Sequence, residues 1–426
     1  MDESWSAVQE ASSKGGKHKP RIAITYHYMY PDDVVSARHL DGLAADLAAK
    51  GWDVEALPCN RGCRDETRTY PATDFHDGVR YTRIWRPRFR QASFVGRVAN
   101  SAWMIAAWTR LALRPRKRRP DVVLIGTDPI FAVAAAIPIK LFAPKIRIAH
   151  WCFDLHPEAA IAGNIISATN PITRLVRRVV RAGYKRCDVI ADLGTCMRTL
   201  LQQYRHPARE VELTPWALVE PPERVVSDAI VRQELFGDAT LAVLYSGNFG
   251  EAHSYNELLA VARSLRDAPD IHFCFATRGN KADELRQAVG PEDSNISFAG
   301  FASIEDLEKR LGAADVHMAS LRPEWSGIAV PSKFFGSLAI GRPVLYAGPS
   351  ASAISQWIDE FGVGWVVNMN NVDRIAKELR TLAKSAHAIA EWQDRAHSVY
   401  AAEFSRNSVT GRWHSELSDV LNNESV

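Results

Sequence analysis

The sequence predicts an α/β protein made of two Rossmann-like halves, each with a doubly wound parallel sheet. One observation is the length of 426 residues, which suits two domains of roughly 200 residues with substantial cores. The other is the regular alternation of short apolar runs with amphipathic helical segments, which begins at Arg21 and begins again after the proline-containing break at 215–222. Strands separated by helices favour parallel pairing, because a parallel connection needs a crossover segment.

The first half shows this alternation from its first apolar run. Residues 21–26 (RIAITY) are predicted as a buried strand, and 35–50 as an amphipathic helix that ends at Gly51. Further strands are predicted at 53–57, 121–125, 146–150 and 188–191, and in the second half at 241–245, 272–276, 296–299, 316–318, 344–346 and 364–367. Ligands bind at the carboxyl ends of such strands, so we expect two of these edges to face one another across a cleft.

The break divides the chain into parts of different composition. The predicted parts are a polar, disordered tail over 1–20, an N-terminal Rossmann-like domain over 21–215, a C-terminal one over 223–385, and helices over 386–426. Whether the last helices cross back to the N-terminal domain is left open.

The cysteines predict neither a disulfide framework nor a metal centre. The chain has six, without paired spacing, and no cleavable signal segment precedes the first strand, so we expect a reducing cytoplasm. Cys59 and Cys63 would supply only half of a structural zinc site, because no second Cys/His pair stands at matching spacing.

Positive charge is concentrated in one segment, although the net charge is only +3. Between Arg80 and Arg119 there is no Asp or Glu, and the apolar helix predicted over 94–113 leads directly into the basic run 114–119. Apolar contact beside a cationic cluster is typical of a helix lying on an anionic membrane surface. A core helix followed by a solvated basic loop is the alternative. Nucleic-acid binding is not favoured, because no recognition module accompanies the charge.

The segment 323–348 is typical of an anion site. A Ser/Gly-containing loop leads into Pro331, Ser332 and Lys333, then into a helix of small residues and the strand after Gly341-Arg342-Pro343. Proline suits a first helical turn, and the free N–H groups and the lysine ammonium favour phosphate.

A second candidate phosphate site follows the first strand of the second half. Residues 245–250 read YSGNFG, and glycines there let backbone amides approach a pyrophosphate. The spacing is not GxGxxG, and a plain tight turn also explains the glycines.

Together these motifs give the second half a family resemblance. YSGNFG, NISFAGF at 295–301, a helix predicted over 304–311 before AADV at 313–316, and PSKFFGSLAIGRPVL at 331–345 resemble the retaining glycosyltransferases of family 4, which have the two-domain GT-B architecture. The resemblance covers residues 242–367 closely and the N-terminal half in outline. It is nearest the bacterial colanic-acid and O-antigen fucosamine-type branch, in which a DLxPE element also appears, here DLHPE at 154–158.

The resemblance implies roles for residues of the second half. Glycines and an amide of the turn would line the donor diphosphate, and Phe301 and its neighbours would offer backbone contacts to the nucleobase. The loop 326–330 would lie over the sugar, and the residues at 332–333 would meet phosphate. Arg278 is a further phosphate candidate or a solvated surface arginine. The implied donor-binding residues are Gly247, Asn248, Gly250, Arg278, Phe301, Ser326, Gly327, Ile328, Ala329, Val330, Ser332 and Lys333.

The sequence departs from the family pattern at two places. Many members have two glutamates eight residues apart, one over the sugar and one on the ribose, where this chain has Ile328 and Gly336. Many also have an Arg and a Lys after the glycine turn, where this chain has Asn248 and the run 251–253 (EAH). We expect other residues, such as Glu324, Lys333 and Arg278, to take over ribose and phosphate recognition.

Four titratable residues form the candidate catalytic group of the first half. They are His150, Asp154, His156 and Glu158. Many members of the family have a histidine directly before the aspartate, at the place of Phe153, so that role passes either to His150 or to His156. For each histidine the alternative is a structural role as a packed polar residue. On the acceptor side the loop after the first strand offers His27, Tyr28 and Arg38, with packing as the alternative.

The resemblance implies a retaining transfer of a hexosyl or N-acetylhexosaminyl group from a nucleotide sugar, with UDP as the expected nucleotide. No cofactor or metal is expected, because cationic groups and amide dipoles can stabilise the leaving diphosphate. The expected acceptor is a saccharide or a lipid-linked saccharide in bacterial polysaccharide or envelope synthesis, with peripheral contact to an anionic membrane at its cytoplasmic face. The alternative is a non-catalytic or atypical sugar-nucleotide-binding GT-B protein.

Overall fold

The computed structural model describes residues 19–90, 93–303 and 305–422. Contacts divide the chain into two compact units, one reaching Ile148 and including the chain end from Val420, the other running from Ala149 to Asp419. The predicted domain bounds at 215 and 223 stay predictions. Most of the predicted tail, residues 1–18, and Ile304 of the predicted 304–311 helix lie outside the described residues.

The unit that ends at Ile148 contains five strands and the start of a sixth. The strands are β1 (Arg21–Thr25), β2 (Asp53–Ala56), β3 (Thr73–His76), β4 (Val79–Thr82), β5 (Val122–Ile125) and β6 (Arg147–Trp151). The helices are α1 (Val35–Ala49), α2 (Phe94–Leu113) and α3 (Ala136–Phe142), with 3-10 turns at Arg116–Arg118 and Ala132–Ala135.

The unit from Ala149 contains the remaining elements. Its strands are β7 (Val189–Asp192), β8 (Arg209–Glu212), β9 (Leu241–Asn248), β10 (Ile271–Arg278), β11 (Ile296–Phe298), β12 (Val316–Ser320), β13 (Val344–Ala347) and β14 (Gly364–Val367). Its helices are α4 (Glu158–Ala162), α5 (Pro171–Tyr184), α6 (Thr195–Gln202), α7 (Ala229–Phe236), α8 (Asn256–Arg263), α9 (Ala282–Ala288), α10 (Leu307–Gly312), α11 (Lys333–Ala339), α12 (Ala353–Phe361), α13 (Val372–Leu382), α14 (Ala386–Val399) and α15 (Arg406–Asn422), with short turns at Pro323–Trp325 and Tyr400–Phe404.

Two sheets organise these strands, as the alternation predicts. The first has the order β3-β4-β2-β1-β5-β6-β7-β8, and the second has the order β11-β10-β9-β12-β13-β14. All pairings given for the second sheet are parallel. Its central strands are apolar and buried, and helices cover them on both sides, which is why their sequences are continuous apolar runs.

An antiparallel pairing lies at the edge of the first sheet, where no strand was predicted. β3 pairs with β4 through Asp77 and Gly78, which both have positive φ values, 47° and 77°. An Asp-Gly pair with left-handed backbone makes the tight turn that matches strand twist. The hairpin was missed because β3 is polar and partly exposed, although the Asp-Gly dipeptide signals it.

Arg342, from the GRPV run, links the second sheet by hydrogen bonds to the chain segment before α7. Its guanidinium is 1% exposed and donates to five carbonyl oxygens, those of Ala314, Ile340, Gly341, Val225 and Gly312. Burial lowers the pKa of Arg342 to about 10. The planar fork of donors suits this role, which a lysine could not fill.

Replacing Arg342 with methionine should therefore destabilise the fold. Carbonyls that lose their donor inside the protein cost free energy, so we expect the free energy of unfolding to fall by about 3 kcal/mol or more. Urea unfolding measures it. The control is Arg374→Met, which removes an exposed pair with Glu378 and should cost under about 1 kcal/mol. Equal losses in both variants would contradict this role.

Candidate functional site

The candidate site lies at the carboxyl edge of the second sheet, at its topological switch point. The chain passes outward from β9 through β10 to β11, then returns to the other side of β9 with β12. At such a reversal the connections leave in opposite directions and open a crevice, which is where ligands bind in α/β sheets. The strand ends that meet there are Asn248, Arg278 and Ser320.

Lys333 reaches this edge from α11. Its Nζ donates to the backbone oxygen of Asn248 at 2.9 Å and lies 5.2 Å from the centroid of the Tyr245 ring. Gly247 makes room for it, because a Cβ atom there would stand 2.9 Å from the Lys333 Cε. Gly247 also has a φ of 129°, which favours glycine. The structure thus brings together three predicted donor-binding residues, Gly247, Asn248 and Lys333.

The predicted glycine turn differs from a simple loop. β9 continues through Gly247 to Asn248, and the chain turns only at Phe249, whose side chain is buried. The Phe249 N–H donates to the Arg278 carbonyl at 2.7 Å. Gly279, which sequence reasoning missed, is needed here, because its Cβ would lie 2.6 Å from the Phe249 oxygen. Gly250 has no such steric requirement, since a Cβ there meets only ordinary contacts.

The Lys333 ammonium has an unusual environment for a lysine. Burial lowers its pKa to about 8. His253 lies close enough for the lysine charge to act on it: burial, then Lys333, lowers the pKa of His253 to about 4. The His253 Nδ1–H donates to the Ser320 carbonyl at 2.7 Å, so the imidazole is neutral near pH 7. His253 therefore does not replace the cation that many family members have after the turn.

The pKa of Lys333 predicts how anion binding depends on pH. A pKa lowered to about 8 means that the ammonium is present below that pH and is lost above it. Affinity for a nucleoside diphosphate should thus fall as pH rises above 8, by up to about tenfold per pH unit. Calorimetric titration with UDP between pH 7 and 9.5 measures this. In Lys333→Met the same range should give a flat profile, and an equal slope in both proteins would contradict the assignment.

Arg278 and Phe301 form a stacked pair beside this edge. The Arg278 guanidinium lies 3.8 Å from the centroid of the Phe301 ring, and the ring is 49% exposed. Such stacking leaves the arginine's N–H groups free at the rim of the plane, where they can donate to an anion. The structure therefore places these two predicted residues together, as a flat cationic platform next to β10.

Two further cations at the edge were missed in the sequence. Arg322 follows β12 and Lys281 follows β10, and both approach the Glu251 carboxylate, at 3.9 Å and 3.8 Å. Asn280 also donates to that carboxylate at 2.6 Å. Glu251 thus holds two cations near the turn. Their position two or three residues after a strand was the available signal, but their pairing with Glu251 is a tertiary contact.

The loop 326–330 connects this edge to the DLHPE element. The Leu155 N–H donates to the Ile328 carbonyl at 3.3 Å. Gly327 has a φ of 76° and a Cβ there would lie 2.5 Å from the Cys196 oxygen, so the loop packs closely on α6. The Ile328 side chain is 6% exposed, which shows that it fills packing space instead of offering a polar contact. Ser326, Ala329 and Val330 are half-buried in the same loop.

The start of α11 differs from the prediction. The helix begins at Lys333 with Ser332 as its N-cap, so Pro331 precedes the helix and does not occupy its first turn. The Ser332 side chain makes no cap hydrogen bond and is exposed. Gly336 lies inside the helix, and a Cβ there would meet nothing within 4 Å. The space beside Gly336, where the resemblance places a glutamate, is therefore open.

The four residues of the predicted catalytic group have different environments. Asp154 is exposed, and His156 is half-buried. His150 is 2% exposed and its ring centroid lies 5.7 Å from that of Tyr184. Asp154 is therefore the most accessible of the four, His156 and Glu158 are partly accessible, and His150 is buried.

Glu158 is engaged with its own surroundings. Its Oε1 accepts from Arg177 Nε at 3.2 Å and from the Tyr204 hydroxyl at 2.6 Å. The side chain is 13% exposed. Such a carboxylate is held in place by the two donors and serves better as a positioning group than as a proton acceptor for substrate.

The predicted acceptor-side residues belong to the other unit. His27 and Tyr28 are buried, and the Tyr28 hydroxyl accepts from Arg86 at 3.1 Å. Burial alone would lower the pKa of His27, but Asp128, with Nδ1 to Oδ2 at 3.6 Å, raises it to about 9. Arg38 is exposed and pairs with Asp33. Packing therefore accounts for His27 and Tyr28, and their contact role stays a prediction.

No group of three or more potential metal ligands occurs among residues 19–90, 93–303 and 305–422. Cys59 Sγ donates instead to the Arg61 carbonyl at 3.3 Å. In the same ranges no helix has the length and hydropathy that crossing a bilayer requires.

Two family models match the chain, and together they cover most of it. The Glycosyl transferase 4-like domain matches residues 36–217, and Glycosyl transferases group 1 matches residues 240–385. The second match contains the whole candidate edge, including Lys333 and the cations around Glu251. The first contains the DLHPE element.

Curated relatives agree with the family models. The chain is 26% identical over 270 residues to the probable glycosyltransferase WbjE of Pseudomonas aeruginosa, covering 62% of this chain and 66% of that protein. It is 23% identical over 274 residues to WcaI of Escherichia coli, named as a candidate colanic acid biosynthesis glycosyl transferase, covering 62% and 67%. The matches thus span about two thirds of each relative's length.

Solved structures show the same fold at low sequence identity. Sucrose-phosphate synthase from Thermosynechococcus elongatus superposes with a TM-score of 0.67 at 12% identity, covering 96% of this chain and 100% of that one. HepE of Anabaena, solved in complex with UDP, gives 0.60 at 11% identity, covering 94% and 100%. WaaG, a glycosyltransferase involved in lipopolysaccharide biosynthesis, gives 0.58 at 15% identity, covering 93% and 99%.

These matches confirm the predicted fold and the predicted family. Both sheets are present, both family domains are matched in order, and the curated relatives include the colanic-acid branch that the motifs resemble. The chain belongs to the family 4 glycosyltransferases of GT-B architecture.

Proposed function

We propose that this glycosyltransferase transfers a hexosyl or N-acetylhexosaminyl group, with retention at the anomeric carbon, from a UDP-sugar to a lipid-linked saccharide in envelope polysaccharide synthesis. The observation that carries the proposal is the hydrogen bond from the Lys333 ammonium to the Asn248 carbonyl at the switch point of the second sheet. The hydrogen bond between Leu155 and Ile328 adds the DLHPE element to that edge. The names of the curated relatives and the UDP bound in HepE support it.

The edge suits the diphosphate of such a donor. Sugar transfer leaves negative charge on the departing diphosphate, so fixed cations and amide dipoles contribute most to lowering the barrier. Lys333 would meet the diphosphate directly. Arg278, Arg322 and Lys281 surround the same turn and add positive potential. With these cations the proposal needs no metal.

The acceptor hydroxyl must lose its proton during transfer. The departing phosphate can take it, or a nearby base can. Asp154 is the exposed carboxylate of the element that the Leu155 to Ile328 hydrogen bond joins to the donor loop. We assign it to the acceptor, where it orients the hydroxyl and accepts its proton. His156, half-buried two residues later, is the alternative base.

A non-catalytic sugar-nucleotide-binding protein is the second candidate function. It is favoured by Ile328 and Gly336, which stand where many members of the family have acidic residues, because neither residue can accept a hydrogen bond from a sugar or ribose hydroxyl through its side chain.

In the catalytic protein another carboxylate must take this contact. The exposed Glu324, paired with Arg322 at 3.4 Å, is the nearest carboxylate to the loop 326–330 in sequence. We propose that it takes the ribose or sugar contact.

Thermal stabilisation by a panel of nucleotide sugars tests the proposal. A bound ligand raises the melting temperature by mass action, and its stabilising free energy grows with the logarithm of the ratio of its concentration to Kd. We expect UDP and one UDP-sugar to stabilise the protein most, and GDP and ADP to stabilise it little. Stabilisation by no member of the panel would contradict both candidate functions.

A patch on α2 supports contact with an anionic membrane. Trp108 and Leu111 are buried, so part of this helix is core, as the alternative reading has it. Trp103 remains exposed and packs edge-on against Trp85, which is 60% exposed. Exposed cations stand in the segment before α2, on α2 and directly after it, at Arg88, Arg90, Arg97, Arg110, Arg116, Lys117 and Arg118. Exposed indoles beside cations favour the headgroup region of an anionic bilayer at its cytoplasmic face.

Replacing both indoles should weaken this contact. We expect Trp85→Ala/Trp103→Ala to reduce co-sedimentation with phosphatidylglycerol vesicles severalfold at low salt, because the apolar insertion is lost while the charge remains. The control is Ile230→Ala, which removes another exposed apolar side chain, and it should sediment like the unaltered protein. Unchanged sedimentation of the double variant would argue against the patch.

A further inference from the structure

A small cavity lies beside the DLHPE element. Its volume is about 260 Å³, and it is lined by Glu158, Arg177, Arg178, Arg181, Gln203 and Tyr204. Pockets for drug-sized ligands are about 300–1,000 Å³, so this cavity suits a chemical group and not a whole nucleotide sugar. It is formed mainly by α5 and by the end of α6, which belong to the same compact unit.

The charge of the lining favours an anion. Three guanidinium groups face one carboxylate, and that carboxylate, Glu158, already accepts from Arg177 and Tyr204. Arg178 and Arg181 have no ion-pair or hydrogen-bond partner for their side chains among the described residues, and both are exposed. Two unpaired arginines on adjacent turns present forked donors to one space, which is the arrangement that binds phosphate bidentately.

An apolar strip lies next to this basic face on the same helix. Ile172, Leu175 and Val179 follow helical spacing, and they are 55%, 58% and 39% exposed. Ile165, just before α5, is 81% exposed. Scattered apolar side chains on a surface are ordinary, but a strip of them along one helix beside arginines is typical of a surface that meets lipid.

We infer that this cavity binds the diphosphate of a polyprenyl-linked acceptor, with the prenyl chain along the Ile172, Leu175 and Val179 strip. The inference rests on the proposed function and names the acceptor class more closely. Arg178 and Arg181 hold the phosphates, and Gln203 adds an amide donor. Glu158 is a positioning residue, because it accepts hydrogen bonds from Arg177 and Tyr204. It also belongs to the DLHPE element, so the cavity lies close in sequence to Asp154, four residues earlier.

Calorimetric titration with farnesyl diphosphate, a short prenyl diphosphate, tests the inference. Saturating UDP is present throughout, so that the donor edge is filled. We expect the full chain to bind the probe, and Arg178→Gln/Arg181→Gln to weaken the binding at least tenfold. Lys185→Gln/Arg186→Gln removes the same charge from the end of α5 outside the cavity lining, and its affinity should stay within about twofold, as expected when a charge is solvent-screened.

Two further probes separate the sources of binding. Inorganic diphosphate should bind through the same arginines but more weakly than farnesyl diphosphate, and farnesol should bind weakest. Equal affinity for inorganic diphosphate would make the cavity a free-anion site and overturn the lipid assignment. Equal affinity for farnesol, or no loss in the Arg178→Gln/Arg181→Gln variant, would overturn the phosphate assignment.

The inference and the proposed function can fail separately. Lys333→Met should bind UDP at least tenfold more weakly, yet bind farnesyl diphosphate as the unaltered chain does, because Lys333 does not line the cavity. Loss of farnesyl diphosphate binding in Lys333→Met would show that the probe occupies the donor edge, and would overturn the separate acceptor site. Failure of UDP to bind any variant would count against the donor assignment alone.

Discussion

Lys333→Met is expected to lower kcat/KM for sugar transfer by about 10²–10³-fold, the range found when one preorganised electrostatic donor is removed. The reason is geometric as well as electrostatic. Lys333 Nζ is held at 2.9 Å from the Asn248 carbonyl, beside the turn where the donor diphosphate is proposed to lie, and the methionine offers neither charge nor donor. Steady-state kinetics with the stabilising UDP-sugar give the value.

The matched control for this variant is Lys377→Met. Lys377 is an exposed residue of α13, so its loss removes the same charge without touching the edge. It should retain the activity of the unaltered chain. A Lys333→Met protein with normal kinetics would remove the central residue from the proposed site.

Asp154→Asn is expected to lower kcat by about 10²–10⁴-fold, the usual contribution of a positioned general base, while UDP affinity stays within about twofold. The amide keeps the shape but cannot take the acceptor's proton. Because Asp154 is exposed, its replacement should leave the melting temperature nearly unchanged. Transfer kinetics and UDP calorimetry on the same sample separate the two effects.

The control here is Asp359→Asn, an exposed carboxylate on α12, which should behave like the unaltered chain. If Asp154→Asn transfers sugar normally, the departing phosphate or His156 takes the proton instead. If both UDP binding and kcat fall together, Asp154 contributes to the donor site and not to the acceptor.

The fold was predictable because its central strands are buried on both faces. β1, β5, β9 and β13 are mostly apolar runs, and several helices between them, such as α1 before Gly51, end at glycine or proline signals. The β3-β4 hairpin escaped prediction because a polar edge strand has no strong pattern. The extension of β9 through Gly247 was also missed, since a glycine inside a strand weakens the local signal.

The candidate site was predictable only for residues that stand in a family motif at the end of a strand or the start of a helix. Gly247 and Lys333 stand in such motifs, and the structure brings them together. Arg322 and Lys281 were missed because their relation to Glu251 depends on the pairing of β9, β10 and β12. The burial of His150 was not predictable either. Its position at a strand end suggested access to a cleft, but burial depends on neighbours such as Tyr184 that sequence spacing does not reveal.

Arg342 also stands in a family motif, but its role in the structure differs from the one that its charge suggests. GRPV marks the family, and an arginine beside a proposed phosphate site suggests an anion contact. The structure gives it a packing role instead, with five backbone carbonyls around a buried guanidinium. A conspicuous charge can therefore stabilise the scaffold of a site without meeting the ligand.

The most direct test of the central claim is the rate of UDP release from the UDP-sugar that stabilises the protein best, measured with and without a lipid-linked acceptor. We expect slow release by the unaltered chain, faster release with acceptor, and loss of both in Lys333→Met and Asp154→Asn. Binding of the UDP-sugar with no release above that of Lys333→Met, acceptor present or not, would contradict the account and favour the non-catalytic protein.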